Sequence, residues 1–262
     1  QIQQLLLAYE SIVVDDGSTD QTKQVAETAG AKVVTHPYSK GNGAAIKTGA
    51  RTATGDIIVF MDADGQHDPQ DIPRLIEKIE QGYDLVVGSR QKGSQASIGR
   101  GIANALYNNL ATYMTEQKVE DLTSGFRAVR TDKFREFLYL LPNGFSYPTT
   151  STMAFFRAGY SVGYVPIHAA KRIGKSHIRP LKDGVRFFLI IFKIATLFSP
   201  LKMFLPIAVM LFMMATGWYG YTLWDAGRFT NMSALLYTGS IMIFLMGLIS
   251  EQVTALMYKD SQ

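Results

Sequence analysis

The 262 residues contain no cysteine. That excludes a disulfide framework and a thiolate metal site. Charge is missing from two long stretches, Met203 to Trp224 and Phe229 to Ser250, each 22 residues long. About 20 apolar residues at 1.5 Å each cross a hydrocarbon core of roughly 30 Å, so both stretches are long enough to span a membrane. There is no internal repeat and no low-complexity segment. Gln1-Ile2-Gln3-Gln4 has neither the basic start nor the apolar core of a secretory signal. The formal charge of +4 is modest for the length, and no nucleic-acid partner is expected.

The link between the apolar stretches is short, which predicts a helical hairpin with spans of about 203–224 and 233–257. Trp218, Tyr219, Tyr221 and Trp224 crowd one end, as in an interfacial aromatic belt. The flank before the hairpin carries Lys171, Arg172, Lys175, Arg179, Lys182, Arg186, Lys193 and Lys202, while the link has only Arg228. An excess of Lys and Arg marks the cytoplasmic side. An integral membrane protein with its large domain on the cytoplasmic face is therefore expected, in a plasma, inner or endoplasmic reticulum membrane. Residues 183–200 read as an amphipathic helix at the interface, with Phe187, Phe188, Ile190, Ile191 and Ile194 against Arg186 and Lys193. The spanning helices also offer a surface for a homo-oligomer, and Glu251 reads either as an interfacial end of the second helix or as a contact to a neighbouring subunit.

Residues 1–182 alternate between two patterns. Short β-branched or apolar runs, Ile12–Val14, Lys32–Thr35, Ile57–Met61, Leu85–Arg90 and Gly163–Ile167, predict strands. Between them, helices are predicted over Gln21–Ala29, Ala44–Ala53, Pro69–Gln81 and Gly99–Tyr113. The alternation implies an α/β domain with a mostly parallel sheet covered by helices on both faces. Gln1 to Tyr9 reads as the tail of an amphipathic helix, an odd start for such a domain, and residues upstream are expected.

In such sheets ligands sit at the carboxyl ends of the strands. Asp15, Asp16, Asp62, Asp64 and Arg90 all fall there. Asp62-Ala63-Asp64 follows a buried strand, so two carboxylates can turn onto one hard cation, of the kind usually shared with substrate phosphates. Lys40-Gly41-Asn42-Gly43 precedes a helix and could offer backbone N–H groups to a phosphate, but it lacks the full P-loop pattern, which argues against an ATPase. Arg172-Ile173-Gly174-Lys175-Ser176 is a basic loop just before the interfacial segment. The metal-type pair and the membrane hairpin together point to an enzyme that passes a nucleotide-activated group to a lipid.

Four motifs in order, Val13-Val14-Asp15-Asp16-Gly17-Ser18-Thr19-Asp20, Asp62-Ala63-Asp64-Gly65-Gln66-His67, Val87-Gly88-Ser89-Arg90 and Thr123-Ser124-Gly125-Phe126-Arg127, resemble the inverting family 2 glycosyltransferases. Within them, the chain resembles the polyprenyl-phosphate hexose synthase branch, which includes dolichyl-phosphate mannose synthase. The resemblance implies a GT-A, Rossmann-like fold and transfer of a hexose from GDP-mannose or UDP-glucose to dolichyl or undecaprenyl phosphate. It implies Mg²⁺ or Mn²⁺ on Asp62, Asp64 and Gln66. Asp15, Asp16, Lys40, Gly43 and Asp62 would meet the nucleotide. Arg100, Arg127, Arg172 and Lys175 would meet the acceptor phosphate, and Asp64, Arg90, Arg127 and Arg172 would act in catalysis. The family's Pro-Ala-Tyr-Asn-Glu-like first-strand motif is absent. A processive polysaccharide synthase is the nearest rival, but it would carry a Gln-x-x-Arg-Trp motif, and the only tryptophans lie in the hairpin. A non-catalytic membrane scaffold subunit is a rival from another class.

Overall fold

The computed structural model describes residues 9–91, 98–144, 147–169, 192, 196 and 198–257. The chain forms two compact units, Gln1–Ile178 and Arg179–Gln262. The expected interfacial helix falls largely outside the described residues, as do residues 1–8, Arg172 and Lys175.

In the first unit, β1 (Ile12–Asp15) and β2 (Lys32–Thr35) pair in parallel as a two-stranded sheet. Helix α1 (Thr22–Thr28) links them, and α2 (Asn42–Thr52) packs on β1. A four-stranded sheet follows the order β3 (Ile57–Phe60), β5 (Arg127–Arg130), β4 (Leu85–Arg90), β6 (Val162–Ile167). Its β4–β6 pair is parallel, as the alternation predicts. Strand β5 is antiparallel to both β3 and β4, so the sheet is mixed. The reason is where β5 starts. Arg127, its first residue, pairs with Phe60, the last of β3, so the chain enters β5 from the end at which β3 and β4 leave the sheet.

Leu85, Val86 and Val87 are all fully buried. Successive strand residues point to opposite faces, so both faces of this sheet are covered. Helix α3 (Ile72–Glu80) covers one. Its Ile72, Leu75 and Ile79 lie on one helical face and form a core with Val86, Phe126, Ala128, Val165 and Ile167. A single 3₁₀ turn, Pro69–Asp71, leads into α3, and the Asp68 carboxylate caps it by accepting from Gln70 N–H at 2.9 Å. Phe60 on the sheet meets Phe134 of α5 (Thr131–Glu136) and Tyr147 of α6 (Tyr147–Arg157) at ring distances of 4.9 and 6.0 Å. Residues 98–115 form α4, which contains Arg100.

The second unit is the predicted hairpin, with α7 (Pro200–Ala226) and α8 (Asn231–Met257) each 27 residues long. Both are longer than the uncharged stretches. The helices meet along small residues spaced by seven: Ala208, Ala215 and Thr222 on α7, and Ser233, Ser240, Gly247 and Thr254 on α8. That period keeps one seam facing the partner helix. Ser240 Oγ donates to the Ala208 carbonyl at 2.8 Å, which satisfies both polar atoms within the seam. Large apolar side chains such as Met213, Leu235 and Ile249 are exposed on the outside. Glu251 accepts from the backbone N–H of Leu201 at 3.3 Å, so it caps α7 from across the hairpin.

Candidate active site

The carboxyl ends of β3 and β4 and the start of β5 come together. Asp62 and Asp64 leave the end of β3, and both are half-buried. Gln66 N–H donates to Asp64 Oδ1 at 3.2 Å, which tightens the turn. Gly125 backs Asp62: a Cβ at that position would lie 2.8 Å from Asp62 Oδ2. The carboxylate is thus seated in a space that only glycine leaves. Among the described residues no group of three or more His, Asp or Glu side chains is arranged to enclose a cation. A pair of carboxylates fits a hard divalent ion whose remaining positions go to substrate phosphate and water.

Arg90, at the end of β4, is oriented by Asp121. Nε and Nη2 donate to the two oxygens of Asp121 at 2.7 and 2.9 Å, and Nη2 also donates to Thr123 Oγ1 at 2.6 Å. Asp121 further accepts from the backbone N–H groups of Arg90, Thr123 and Ser124 at 3.1–3.2 Å. Burial pushes the Asp121 carboxyl up, but the Arg90 guanidinium and these N–H bonds win and hold its pKa below the usual aspartate value. For Arg90, burial opposes the charged form, and Asp121 with Asp62 outweighs it and raises the pKa. With Nε and both N–H groups of Nη2 engaged by Asp121 and Thr123, Nη1 is the donor left to meet an anion. Sequence reasoning missed Asp121. Its short spacing to Thr123 is an Asx-turn signal, but nothing local marks it as the partner of a residue 31 positions earlier.

His67 stacks on Phe126 with ring centres 5.0 Å apart, and its Nδ1 is buried with no hydrogen-bond partner among the described residues. Burial lowers its pKa against the pull of Asp62 and Asp64.

Three sequence expectations change. Arg127 does not face a phosphate: it is fully buried. Nη1 donates to the Pro148 carbonyl, Ser151 Oγ and Thr152 Oγ1 at 2.9, 2.8 and 3.1 Å, and Nε and Nη2 donate to the Ser124 carbonyl. Its guanidinium lies 5.6 Å from the Tyr147 ring centre. Arg127 therefore ties α6 to the loop that carries Ser124 and Gly125.

Asp16 is filled from within. Oδ1 accepts from His36 Nδ1 and Lys40 N–H at 2.7 and 2.9 Å; Oδ2 accepts from Ser39 Oγ and Gly41 N–H, both at 2.8 Å. A carboxylate offers about four acceptor sites, and all are used within the protein, so Asp16 organises this turn. Burial pushes its pKa up, and the bonds from His36, Lys40, Gly41 and Ser39 overcome that and hold it well below the carboxylate range.

Gly43 is not a phosphate cradle either. Its N–H donates to the Gly144 carbonyl at 3.2 Å, and a Cβ there would lie 2.0 Å from the Pro142 carbonyl. The loop closes on the 142–144 backbone. Asp15 is buried at the end of β1 and accepts from Ser18 N–H at 2.9 Å. Lys40 is exposed, with Nζ 5.6 Å above the Tyr38 ring. Arg100 lies in the first turn of α4.

The fold and the carboxylate pair at its strand ends define an α/β domain of the GT-A type. The chain belongs to glycosyl transferase family 2, whose family profile matches residues 2–138. Residues 199–256 match the GtrB C-terminal hairpin. The glycosyltransferase AglJ of Haloferax volcanii is 28% identical over 200 residues, covering 74% of this chain and 65% of AglJ. The undecaprenyl-phosphate 4-deoxy-4-formamido-L-arabinose transferase of Photorhabdus laumondii is 37% identical over 133 residues, 48% of this chain and 41% of that protein. The aligned stretch is thus less than two thirds of either relative. Among solved structures, glucosyl-3-phosphoglycerate synthase of Mycobacterium tuberculosis with Mn²⁺, UDP and phosphoglyceric acid is 26% identical. It has a TM-score of 0.53 and covers 72% of this chain and 67% of its own. The same enzyme with Mn²⁺, UDP and glucosyl-3-phosphoglycerate is 25% identical with a TM-score of 0.53, covering 72% and 68%.

Proposed function

We propose that this chain is a membrane-anchored inverting glycosyltransferase that moves a hexose from a nucleoside-diphosphate sugar to a polyprenyl phosphate. The observation that carries the reading is the pair of Asp62, seated by Gly125, and Asp64, together with an Arg90 locked by Asp121, in a chain with a membrane-type helical hairpin. Relatives whose names specify undecaprenyl phosphate support the acceptor class. The donor is GDP-mannose or UDP-glucose.

Mg²⁺ or Mn²⁺ held by Asp62, Asp64 and Gln66 would supply charge against the negative charge that develops on the leaving nucleoside diphosphate. Asp15 and Lys40 are the candidates for contact with the nucleotide, Asp15 at the end of β1 and Lys40 on the turn after β2. The acceptor is a phosphate monoester with a second pKa near 6, so at about pH 7 it is already largely ionised. Its oxygen attacks the anomeric carbon without giving up a proton, and no general base is required. Two anions must instead be held together. Arg90, Arg100, Arg172 and Lys175 are the cations for that task, since guanidinium binds phosphate bidentately and stays charged. In-line attack inverts the anomeric centre. The polyprenyl tail stays in the bilayer, which accounts for the hairpin and for a catalytic domain on the basic, cytoplasmic side.

A screen of radiolabelled GDP-mannose and UDP-glucose with dolichyl and undecaprenyl phosphate, with and without Mg²⁺ or Mn²⁺, tests the reading. Metal-dependent label in a lipid product supports it, and Asp64→Asn should abolish most of that label while the circular dichroism spectrum is retained. Long water-soluble polymer would favour a processive synthase. No turnover of either donor, with or without lipid phosphate, would leave the scaffold reading.

A further inference from the structure

A second polar network, at the carboxyl ends of β1 and β2, is one that the transfer chemistry does not use. His36, just beyond β2, is buried and has both ring nitrogens engaged. Nδ1 lies 2.7 Å from Asp16 Oδ1, and Nε2 lies 2.8 Å from Thr48 Oγ1 on α2. The Asp16 carboxylate only accepts, so His36 Nδ1–H is the donor. From Asp16 the network continues to Ser39 Oγ and to the N–H groups of Lys40 and Gly41. Gly17 presses on the same segment, since a Cβ there would lie 2.8 Å from the Tyr38 carbonyl carbon. The turn Tyr38–Gly41 is therefore held at three points, through α2, β1 and β2.

The held turn displays two groups outward. Tyr38 is 66% exposed, and the Lys40 ammonium sits above its ring and makes no ion pair among the described residues. An aromatic face and an unpaired cation, fixed beside the carboxyl end of β1, match the chemistry of a nucleoside diphosphate: a π surface and an anion. A solvated loop has no need of a buried His–Asp link to present such a pair. Binding that depends on presentation does, because an ordered turn does not lose freedom when the ligand arrives.

We infer that His36 is a positioning residue for donor binding, acting through Asp16 on the Tyr38–Lys40 turn. The inference rests on the glycosyltransferase reading above and adds a residue set to its donor end. Thr48 shares the task as the second anchor of the imidazole.

The test uses the full-length protein in detergent or nanodiscs. His36→Phe keeps ring volume and removes both hydrogen bonds, and Thr48→Val removes one of them with little change in shape. UDP and GDP binding in the presence of Mn²⁺ is followed by calorimetry, and donor KM, acceptor KM and kcat by transfer assays. His36→Phe should weaken nucleotide binding and raise donor KM roughly tenfold, the scale of one buried hydrogen-bonded link. Thr48→Val should do so by about threefold on the same scale. In both variants kcat at saturating donor and acceptor KM should stay within about twofold, a split that mere loss of stability would not produce. If His36→Phe fails to fold, Thr48→Val alone decides. Wild-type nucleotide affinity in a folded variant would overturn the role of His36 and leave the glycosyltransferase reading standing. A wild-type protein that binds neither nucleotide would overturn that reading, and this one with it.

Discussion

Gly125 and Asp62 stand so close that the glycine's missing side chain is the space the carboxylate occupies: a Cβ would lie 2.8 Å from Oδ2 and 3.4 Å from Cγ. Two residues 63 positions apart thereby set where one of the two site carboxylates points.

Gly125→Ala is expected to push the Asp62 carboxylate out of place while leaving the core packed. A displacement near 1 Å in such a site costs about a hundredfold in rate. Transfer assays with saturating Mn²⁺, beside a thermal melt, check this. An alanine variant of wild-type activity would show that Asp62 can move without consequence.

Asp121→Ala should cost both stability and activity. It strands Arg90, whose side chain is 26% exposed, so the loss should be roughly 3 kcal/mol, the low end for breaking a buried pair. The pH dependence has a definite sign. The folded-state pKa of Asp121 is depressed, so its contribution is fully present above the ordinary aspartate value of about 3.9 and is lost as pH falls through the lower folded value. Urea melts between about pH 5 and 2 should show a falling wild-type stability that the Asp121→Ala variant follows less steeply.

Arg127→Ala should act on the fold and not on substrate affinity. It takes both donors from the buried Ser124 carbonyl, at roughly 1–3 kcal/mol, while the Pro148 carbonyl keeps the hydroxyls of Ser151 and Thr152. A drop in denaturation midpoint with donor and acceptor KM unchanged in the remaining folded protein is the expected result. A stable variant with a selectively raised acceptor KM would return Arg127 to the phosphate site.

Arg172→Ala should impair use of the lipid phosphate more than binding of the donor. Arg172 belongs to the glycine-containing basic run that precedes the hairpin. Charge-assisted bonds to phosphate are worth roughly 1.5–3 kcal/mol, so acceptor-dependent rate should fall about tenfold to a hundredfold. Nucleotide affinity measured by calorimetry without lipid should hardly change; weakened nucleotide binding with an unchanged acceptor KM would place Arg172 at the donor end.

Local patterns carried much of this protein into view. The uncharged runs from Met203 and Phe229 mark the hairpin because membrane crossing depends on length and apolarity alone; α7 contains the first, and α8 contains the second except Phe229 and Thr230. Ile12–Val14, Lys32–Thr35 and Leu85–Arg90 read as strands because β-branched runs fit a covered sheet, and they are strands. Asp62 and Asp64 stood out because two carboxylates directly after a buried strand have one direction to face. What composition and spacing do not carry is burial and long-range partnership. An arginine in a glycine-bearing motif looks the same whether it meets a phosphate or, like Arg127, the carbonyls of Ser124 and Pro148. Asp16 reads as a ligand contact until His36, Ser39, Lys40 and Gly41 are brought round to fill its oxygens. Asp121 is unremarkable until the antiparallel entry of β5 places its loop beside the end of β4. Each of these depends on which distant segments the sheet order brings together, and a buried donor or acceptor must then be satisfied by whatever the tertiary structure puts next to it.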